Sequence, residues 1–272
     1  MFSKKILGAV IIIKNEAPYI KEWVDFHMAV GFEHFFIYDN ESTDNTREIL
    51  KPYIESGMVE YIYWPGKKQQ MAVYNHALKA HKSKCKWIAF IDADEFVVPV
   101  MDENLPTMIR KIVHGHHHVA QIICPWIMYG TNGHETKPNG LVIENYTTHR
   151  PFKHYGLKSI LNPKRIKKMV SPHQGIPKYF CYTIDTNGKK YPYDFFAHQW
   201  ESDKILPYDK IRVNHYYTKS VAEYHARHAI GSADTDKDSR CDSELREIMS
   251  DANIQDDIMK KYIKVLKNNG NN

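Results

Sequence analysis

Four apolar runs recur at near-even spacing through the first hundred residues: ILGAVIII (6–13), HFFIYD (34–39), VEYIYW (59–64) and WIAFID (87–92). The first is apolar throughout, as expected of a strand covered on both faces. Stretches with helical spacing separate them. Asn15 can cap a helix with Pro18 in its first turn, Ile20, Trp23, Val24 and His27 on its face, and Gly31 at its end. The Ser, Thr and Asp residues of NESTDNTREIL offer caps for a second helix through residue 50, and residues 68–82 supply a third. Regular alternation of strand and helix implies right-handed crossovers and a mainly parallel sheet. Sheets of this kind bind ligands beyond the carboxyl ends of their strands.

Four polar clusters fall at those ends: Asn15-Glu16, Asp39-Asn40, the Lys67–Gln70 loop, and Asp92, Asp94 and Glu95. Asp92 and Asp94 are two apart, so in extended backbone both side chains project from one face. Paired carboxylates suit a hard divalent ion such as Mg2+ or Mn2+, which keeps open positions that a diphosphate can bridge. Such an ion neutralises charge building on a leaving phosphate. Asp-x-Asp is common by chance, and its place at the end of a fourth buried strand is what gives it weight.

Beyond residue 100 the pattern loosens. Residues 102–113 read as a helix and VAQIICPW (119–126) as a strand. A stretch rich in Gly, Asn, Pro, Tyr and His then runs to about residue 220, and loops this long inside a domain usually carry function. The final residues are more polar, with helical patches such as DDIMKKYIKVLK. The balance of 37 basic and 32 acidic residues, net +5, suits an anionic small ligand or a loose approach to an anionic membrane, and argues against a nucleic-acid binder. Four scattered cysteines without a CxxC pair read as reduced thiols. The apolar run behind the N-terminal lysines is only eight residues long and lacks a small-residue cleavage site, so it reads as a strand; no other stretch approaches a membrane span.

Several eye-catching features have plain readings. HGHHH (114–118) reads as an exposed loop, His27 as a satisfied core histidine, and KRIKK (164–168) as a solvated face. Most of the aromatics belong to the core, with Trp126, Tyr129 and Trp200 as candidate acceptor contacts. KKYIKVLK near the C-terminus reads either as a surface helix or as one resting on anionic lipid.

The run IIIKNEAPYIKEWVDFHMAVGFEHFFIYDNESTDNT, with QQMAVYNHAL, KWIAFIDADEF and VNHYYTKS, resembles glycosyltransferase family 92. That family is related to family 2 nucleotide-sugar transferases of the GT-A fold. The resemblance covers residues 6 to 235, strongest up to about residue 100 and again at 211–220. It implies a GT-A-type α/β fold with a mixed, mainly parallel sheet flanked by helices. Residues 1–220 would form one catalytic domain, with a nucleotide-binding half (1–100) and an acceptor and metal half (101–220), and residues 221–272 a helical C-terminal extension.

The resemblance also implies roles. Asn15 and Glu16 would line the base pocket and Asp39 would hold the uracil or ribose, with Gln70 and Asn75 facing the nucleotide. Asp92 and Asp94 would bind Mn2+ (or Mg2+), with His215 completing the metal shell and Lys219 meeting the diphosphate. The chemistry agrees, since imidazole nitrogen is acceptable to Mn2+ and lysine acts on phosphate as a point charge. The implied activity is galactosyl transfer from UDP-galactose to a glycan or lipid-linked glycan acceptor, with inversion. Inversion needs a single general base opposite the departing UDP. The candidates are Glu144, His134 or Glu135, His173 and Glu201. In EYHARHAIGSAD the chain departs from the family pattern, with Arg227 where lysine is usual and Ile230 where arginine is usual. The absence of an N-terminal anchor favours a bacterial-type cytoplasmic enzyme, peripheral at the inner membrane face, acting in lipopolysaccharide or capsule synthesis. Two other readings remain: a nucleotide-sugar or glycan binding module without turnover, and a sugar nucleotidyltransferase. The latter is disfavoured because KNEAPY has no glycine to cradle a triphosphate.

Overall fold

A computed structural model describes residues 5–101, 103–153, 156–192, 205–230 and 241–269. The alternating half runs β1 (Lys5–Ile13), α1 (Ile20–Ala29), β2 (His34–Asp39), α2 (Thr46–Glu55), β3 (Val59–Tyr63), α3 (Gln70–Ala80) and β4 (Cys85–Phe90). Next come β5 (Glu95–Pro99), α4 (Leu105–Ile112), β6 (Val119–Met128), the one-turn α5 (Val142–Asn145), β7 (Thr148–His149) and β8 (Leu157–Leu161). The remaining elements are β9 (Ile166–Met169), β10 (Gly175–Pro177), β11 (Tyr182–Asp185), β12 (Lys190–Tyr191), β13 (Ile211–His215), α6 (Val221–Ile230), α7 (Asp242–Asp251), β14 (Ile254–Gln255) and α8 (Lys260–Asn269).

The central sheet has the order β3-β2-β1-β4-β8-β6-β11-β12. Its first four strands are mutually parallel, as the alternation requires. Antiparallel β8 is then wedged between β4 and β6. The expected class, α/β with a mixed and mainly parallel sheet, is the one observed. Period-two burial explains how both faces are covered. Leu7, Ala9, Ile11 and Ile13 of β1 face a core shared with α1, α4 and α8, while Val10 faces a second core built on α3 and β9. Gly31, at φ +105°, ends the α1 turn where a side chain would strike Pro106.

Two plain readings hold. His27 is fully buried, its Nδ1 2.7 Å from the Trp23 carbonyl, and it accepts the Val97 N–H at Nε2. Residues 114–118 form a largely exposed turn before β6. The C-terminal helix is more deeply engaged than expected. Leu266 is buried and Tyr262 packs edge-on against Phe26 of α1 at 5.0 Å, so most of its apolar side is taken up by the protein, with Val265 left exposed.

Candidate functional site at the carboxyl edge

The loops after β1 and β2 are stitched together. Asn15, at φ +57°, accepts hydrogen bonds at Oδ1 from the backbone of Thr43 (2.7 Å) and Asp44 (3.3 Å), and its own N–H donates to Ser42 Oγ at 2.9 Å. A non-glycine residue at positive φ is uncommon, and asparagine tolerates it best. Asp44 in turn accepts the Ala17 N–H at 3.1 Å. Beneath this rim, Asp39 is almost fully buried and receives the Ser42 N–H on both oxygens at 3.3 Å.

After β4 the acidic segment reverses the chain. Glu95 N–H donates to the Asp92 carbonyl at 3.1 Å, the Asp92 N–H to Glu95 Oε2 at 2.9 Å, and Trp23 Nε1 to the carbonyls of both at 3.0 Å. The reversal launches β5, and antiparallel β13 pairs with it in a register that sets His215 opposite Glu95. His215 Nε2 thereby reaches 3.6 Å from Asp94 Oδ2, and the Tyr216 N–H donates to the Asp94 carbonyl at 2.8 Å. The distant histidine and the acidic turn are therefore neighbours.

The two aspartates have different surroundings. Asp92 Oδ2 accepts from Lys158 Nζ at 2.8 Å, and its Oδ1 from Gln70 Nε2 at 3.0 Å and the Tyr74 hydroxyl at 3.2 Å. Burial alone would raise its carboxyl, but the Lys158 charge outweighs this and holds it below the usual range. Asp94 Oδ2 accepts from Arg227 NH1 of α6 at 2.5 Å, and burial is again outweighed, by Arg227 and then His215, so its carboxyl lies well below the usual range. Glu95, fully buried, is pushed up to about 7 by burial against the pull of Lys158.

Nearby, the buried Lys219 at φ +48° lays its ammonium over the Tyr19 ring at 4.0 Å. Burial and then Arg227 lower its pKa, whereas burial raises that of Glu16, whose carboxylate faces both cations. Glu223 accepts from Tyr19, from Tyr146 at 2.9 Å and from Ser220 Oγ at 2.6 Å, tying α6 to the loop before it.

The remaining sequence candidates scatter. Asn75 exchanges hydrogen bonds with the backbone of Met169 on β9 (2.9 and 3.3 Å), bracing strand against helix. Glu144 pairs with Lys267 of α8 at 2.6 Å. His134 lies beside the Lys219 segment: its carbonyl accepts the Val221 N–H at 3.1 Å, and the Glu135 carbonyl that of Ala222 at 2.9 Å. His173 packs against Trp126 at 5.0 Å, and Trp126 against His215 at 4.5 Å. Burial, then Lys158, pushes the His173 pKa down to about 3. Tyr129 is buried, donating to Asp256 at 2.7 Å. Glu201 and Trp200 lie outside the described residues.

A divalent ion finds a partial fit. Asp94 Oδ1 and His215 Nδ1 are buried with no hydrogen-bond partner among the described residues. An orphaned carboxylate oxygen beside an imidazole is a donor pair that Mn2+ accepts. Among the described residues no three His, Cys, Asp or Glu side chains converge. A bound ion would draw only Asp94 and His215, whose Nε2 faces Asp94, from the described residues, and would need phosphate and water for its other positions.

A family model described as glycosyltransferase family 92 matches residues 12–190. The chain belongs to glycosyltransferase family 92. A family 92 protein of Arabidopsis thaliana is 32% identical over 177 residues, 62% of this chain and 29% of that protein. One from Ricinus communis is 29% identical over 162 residues, 58% of this chain and 29% of that protein. A galactan beta-1,4-galactosyltransferase of Arabidopsis thaliana is 34% identical over 114 residues, 38% of this chain and 22% of that protein. The chain spans less than a third of the length of the curated relatives it matches. Among solved structures, S. aureus TarS 1-349 superposes with a TM-score of 0.45 and 15% identity, over 97% of this chain and 74% of that one.

In this family 92 chain the residues least visible in the sequence are Lys158, Glu22 and Glu223. Lys158 could have been suspected, because a lone lysine in the apolar strand GLKSIL must be either a misfit or a paired charge. Glu22 and Glu223 sit on helices among other polar residues and carry no such signal.

Proposed function

We propose that the chain is a metal-dependent, inverting glycosyltransferase that moves galactose from UDP-galactose to a glycan acceptor. The observation that carries this reading is the Asp94–His215 pair at the carboxyl edge of the sheet, flanked by the cations Lys219 and Arg227 and by the Asn15–Asp39 rim. A nucleoside would lie in the rim, with Asp39 taking its hydroxyls. The diphosphate would meet Lys219 and Arg227 where Asp94 and His215 hold the ion. When bound, that ion draws off charge developing on the departing UDP. The naming of relatives as galactan beta-1,4-galactosyltransferases supports galactose as the sugar.

For the base, placement favours His134. It adjoins the Lys219 segment, whereas Glu144 is paired with Lys267 and the site of His173 disfavours a protonated imidazole. The acceptor is a surface glycan of the lipopolysaccharide or capsule kind.

The test is incubation with Mn2+ and a panel of UDP-sugars, with UDP release followed by ion-exchange chromatography. Release from UDP-galactose, abolished in Asp94→Ala and by chelation, is expected. UDP-sugar binding without turnover would mark a binding module. Pyrophosphate release from UTP and a sugar phosphate would mark a nucleotidyltransferase.

A further inference from the structure

The β9–β10 hairpin presents a surface that donor binding does not use. From Asn145 to Ile184 the sequence has eight Lys or Arg and no Asp or Glu. The hairpin pairs Gly175 with Met169 and Ile176 with Lys168, turning Ile166 and Met169 into the core under α3. Lys164, Lys167, Lys168 and Lys178 are left exposed, and none of the four forms an ion pair among the described residues. The Lys178 ammonium donates to the Lys164 carbonyl at 2.9 Å and its N–H to the Arg165 carbonyl at 2.7 Å, which draws the two ends of the basic segment together.

Immediately after Lys178 stand Tyr179, 85% exposed, and Phe180, 78% exposed, their rings 4.1 Å apart. Val170 at the other end of the hairpin is also exposed. Phe180 has φ +64°, a backbone conformation that bulky residues rarely take. Two adjacent large aromatics in water, one held in an unfavourable conformation and neither covered by the core, call for an external contact.

We propose that this hairpin is a membrane-docking surface, with Tyr179 and Phe180 entering the headgroup region of an anionic bilayer and the four lysines meeting its phosphates. Aromatic rings settle at the membrane–water interface because one end is apolar and the other tolerates water. Basic residues near an anionic leaflet each add attraction, and lysine stems extend to reach the headgroups. A glycan partner is less well matched, since rings this exposed project outward and offer no groove with polar partners for sugar hydroxyls. The terminal helix α8 is less suited, because Leu266 is buried and Tyr262 is packed on Phe26 of α1, leaving only Val265 of its apolar residues exposed. This surface is independent of the donor site, so the proposal and the assigned activity can fail separately.

The experiment is co-sedimentation of the full chain with vesicles of phosphatidylcholine alone or with about one-third phosphatidylglycerol. Binding to the anionic vesicles only is expected. Neutralising two lysines (K167Q/K168Q) should weaken it roughly 20- to 30-fold, and Y179S/F180S about tenfold. Both variants should keep the parent's melting temperature and its UDP-sugar binding, since these side chains touch neither core nor donor site. The proposal is overturned by failure to sediment with anionic vesicles, by equal binding to neutral ones, or by variants that bind like the parent. It is equally overturned if the variants lose only binding to a soluble acidic polysaccharide.

Discussion

Lys158 Nζ stands 2.8 Å from Asp92 Oδ2, and the same ammonium lies 3.3 Å from Glu95 Oε2. One buried cation on β8 therefore compensates two of the three acids that end β4. Both attractions raise its pKa above the usual lysine range although burial would lower it. This ammonium offsets the mutual repulsion of Asp92 and Glu95 within the turn.

Removing that cation leaves the buried Glu95 and the partly buried Asp92 with neutral hydrogen-bond donors but no compensating charge. Lys158→Met is expected to destabilise the fold by about 3–5 kcal/mol, the usual penalty for breaking a buried pair. Lys158→Arg keeps the charge but crowds the space, costing about 1–3 kcal/mol. Urea denaturation of both variants measures the order. A methionine variant within about 1 kcal/mol of the parent would show that Asp92 and Glu95 simply take up protons, at little cost.

Under the proposed metal-dependent mechanism, Arg227 would compete with the ion for Asp94, because its NH1 lies 2.5 Å from Oδ2. Its side chain is about one-third exposed, so the pair is partly screened and modest in strength. Arg227→Ala should therefore tighten Mn2+ binding about fivefold, even though the proposed contact to the donor diphosphate would be lost. Electron paramagnetic resonance of free Mn2+ reads the affinity without turnover. Weaker Mn2+ binding in this variant would mean that Arg227 organises the site and does not obstruct it.

The Asn15 side chain acts on two loops at once through its hydrogen bonds to Thr43 and Asp44. Glycine keeps the positive φ free of strain while deleting those bonds. Asn15→Gly is expected to raise the Kd for UDP about tenfold, equivalent to one or two net hydrogen bonds, with turnover at saturating donor little changed. Isothermal titration with UDP checks this. Unchanged UDP affinity would place the nucleoside elsewhere.

Alternation made the first four strands and their order of appearance readable, because a parallel sheet covered on both faces leaves little freedom in pattern or length. The side chains at strand ends followed from the same logic: Asn15, Asp39 and Asp92 lie where the carboxyl edge had to be. What no periodicity contained was pairing over long separations. That β8 runs antiparallel between β4 and β6 is fixed by packing, and it alone brings Lys158 to Asp92, 66 residues away. Arg227 reaches Asp94 across 133 residues, so its placement depends on α6 docking and not on any local signal. His215 was found only through resemblance, and β5–β13 register supplies the physical reason for its position.

Glu22 gives a prediction with a definite sign. Its carboxylate accepts the N–H groups of Val142 at 2.8 Å and Ile143 at 3.0 Å, capping the short α5 from a helix 120 residues away. Burial nonetheless pushes its carboxyl up to about 7, from an ordinary value of 4.5, against those two hydrogen bonds. Between these values the folded state holds a proton that the unfolded chain releases, so stability falls as pH rises through the window and is fully present below it. The stability lost across this window is on the order of 3 kcal/mol at most. Glu22→Gln carries no charge at any pH, but it can accept at only one oxygen and should be the less stable protein at about pH 5. Its deficit should shrink or reverse by about pH 8, where the parent has paid for ionising a buried carboxyl. Urea midpoints at both pH values decide the matter, and an equal deficit at the two would show that Glu22 ionises in the folded protein as it does in water.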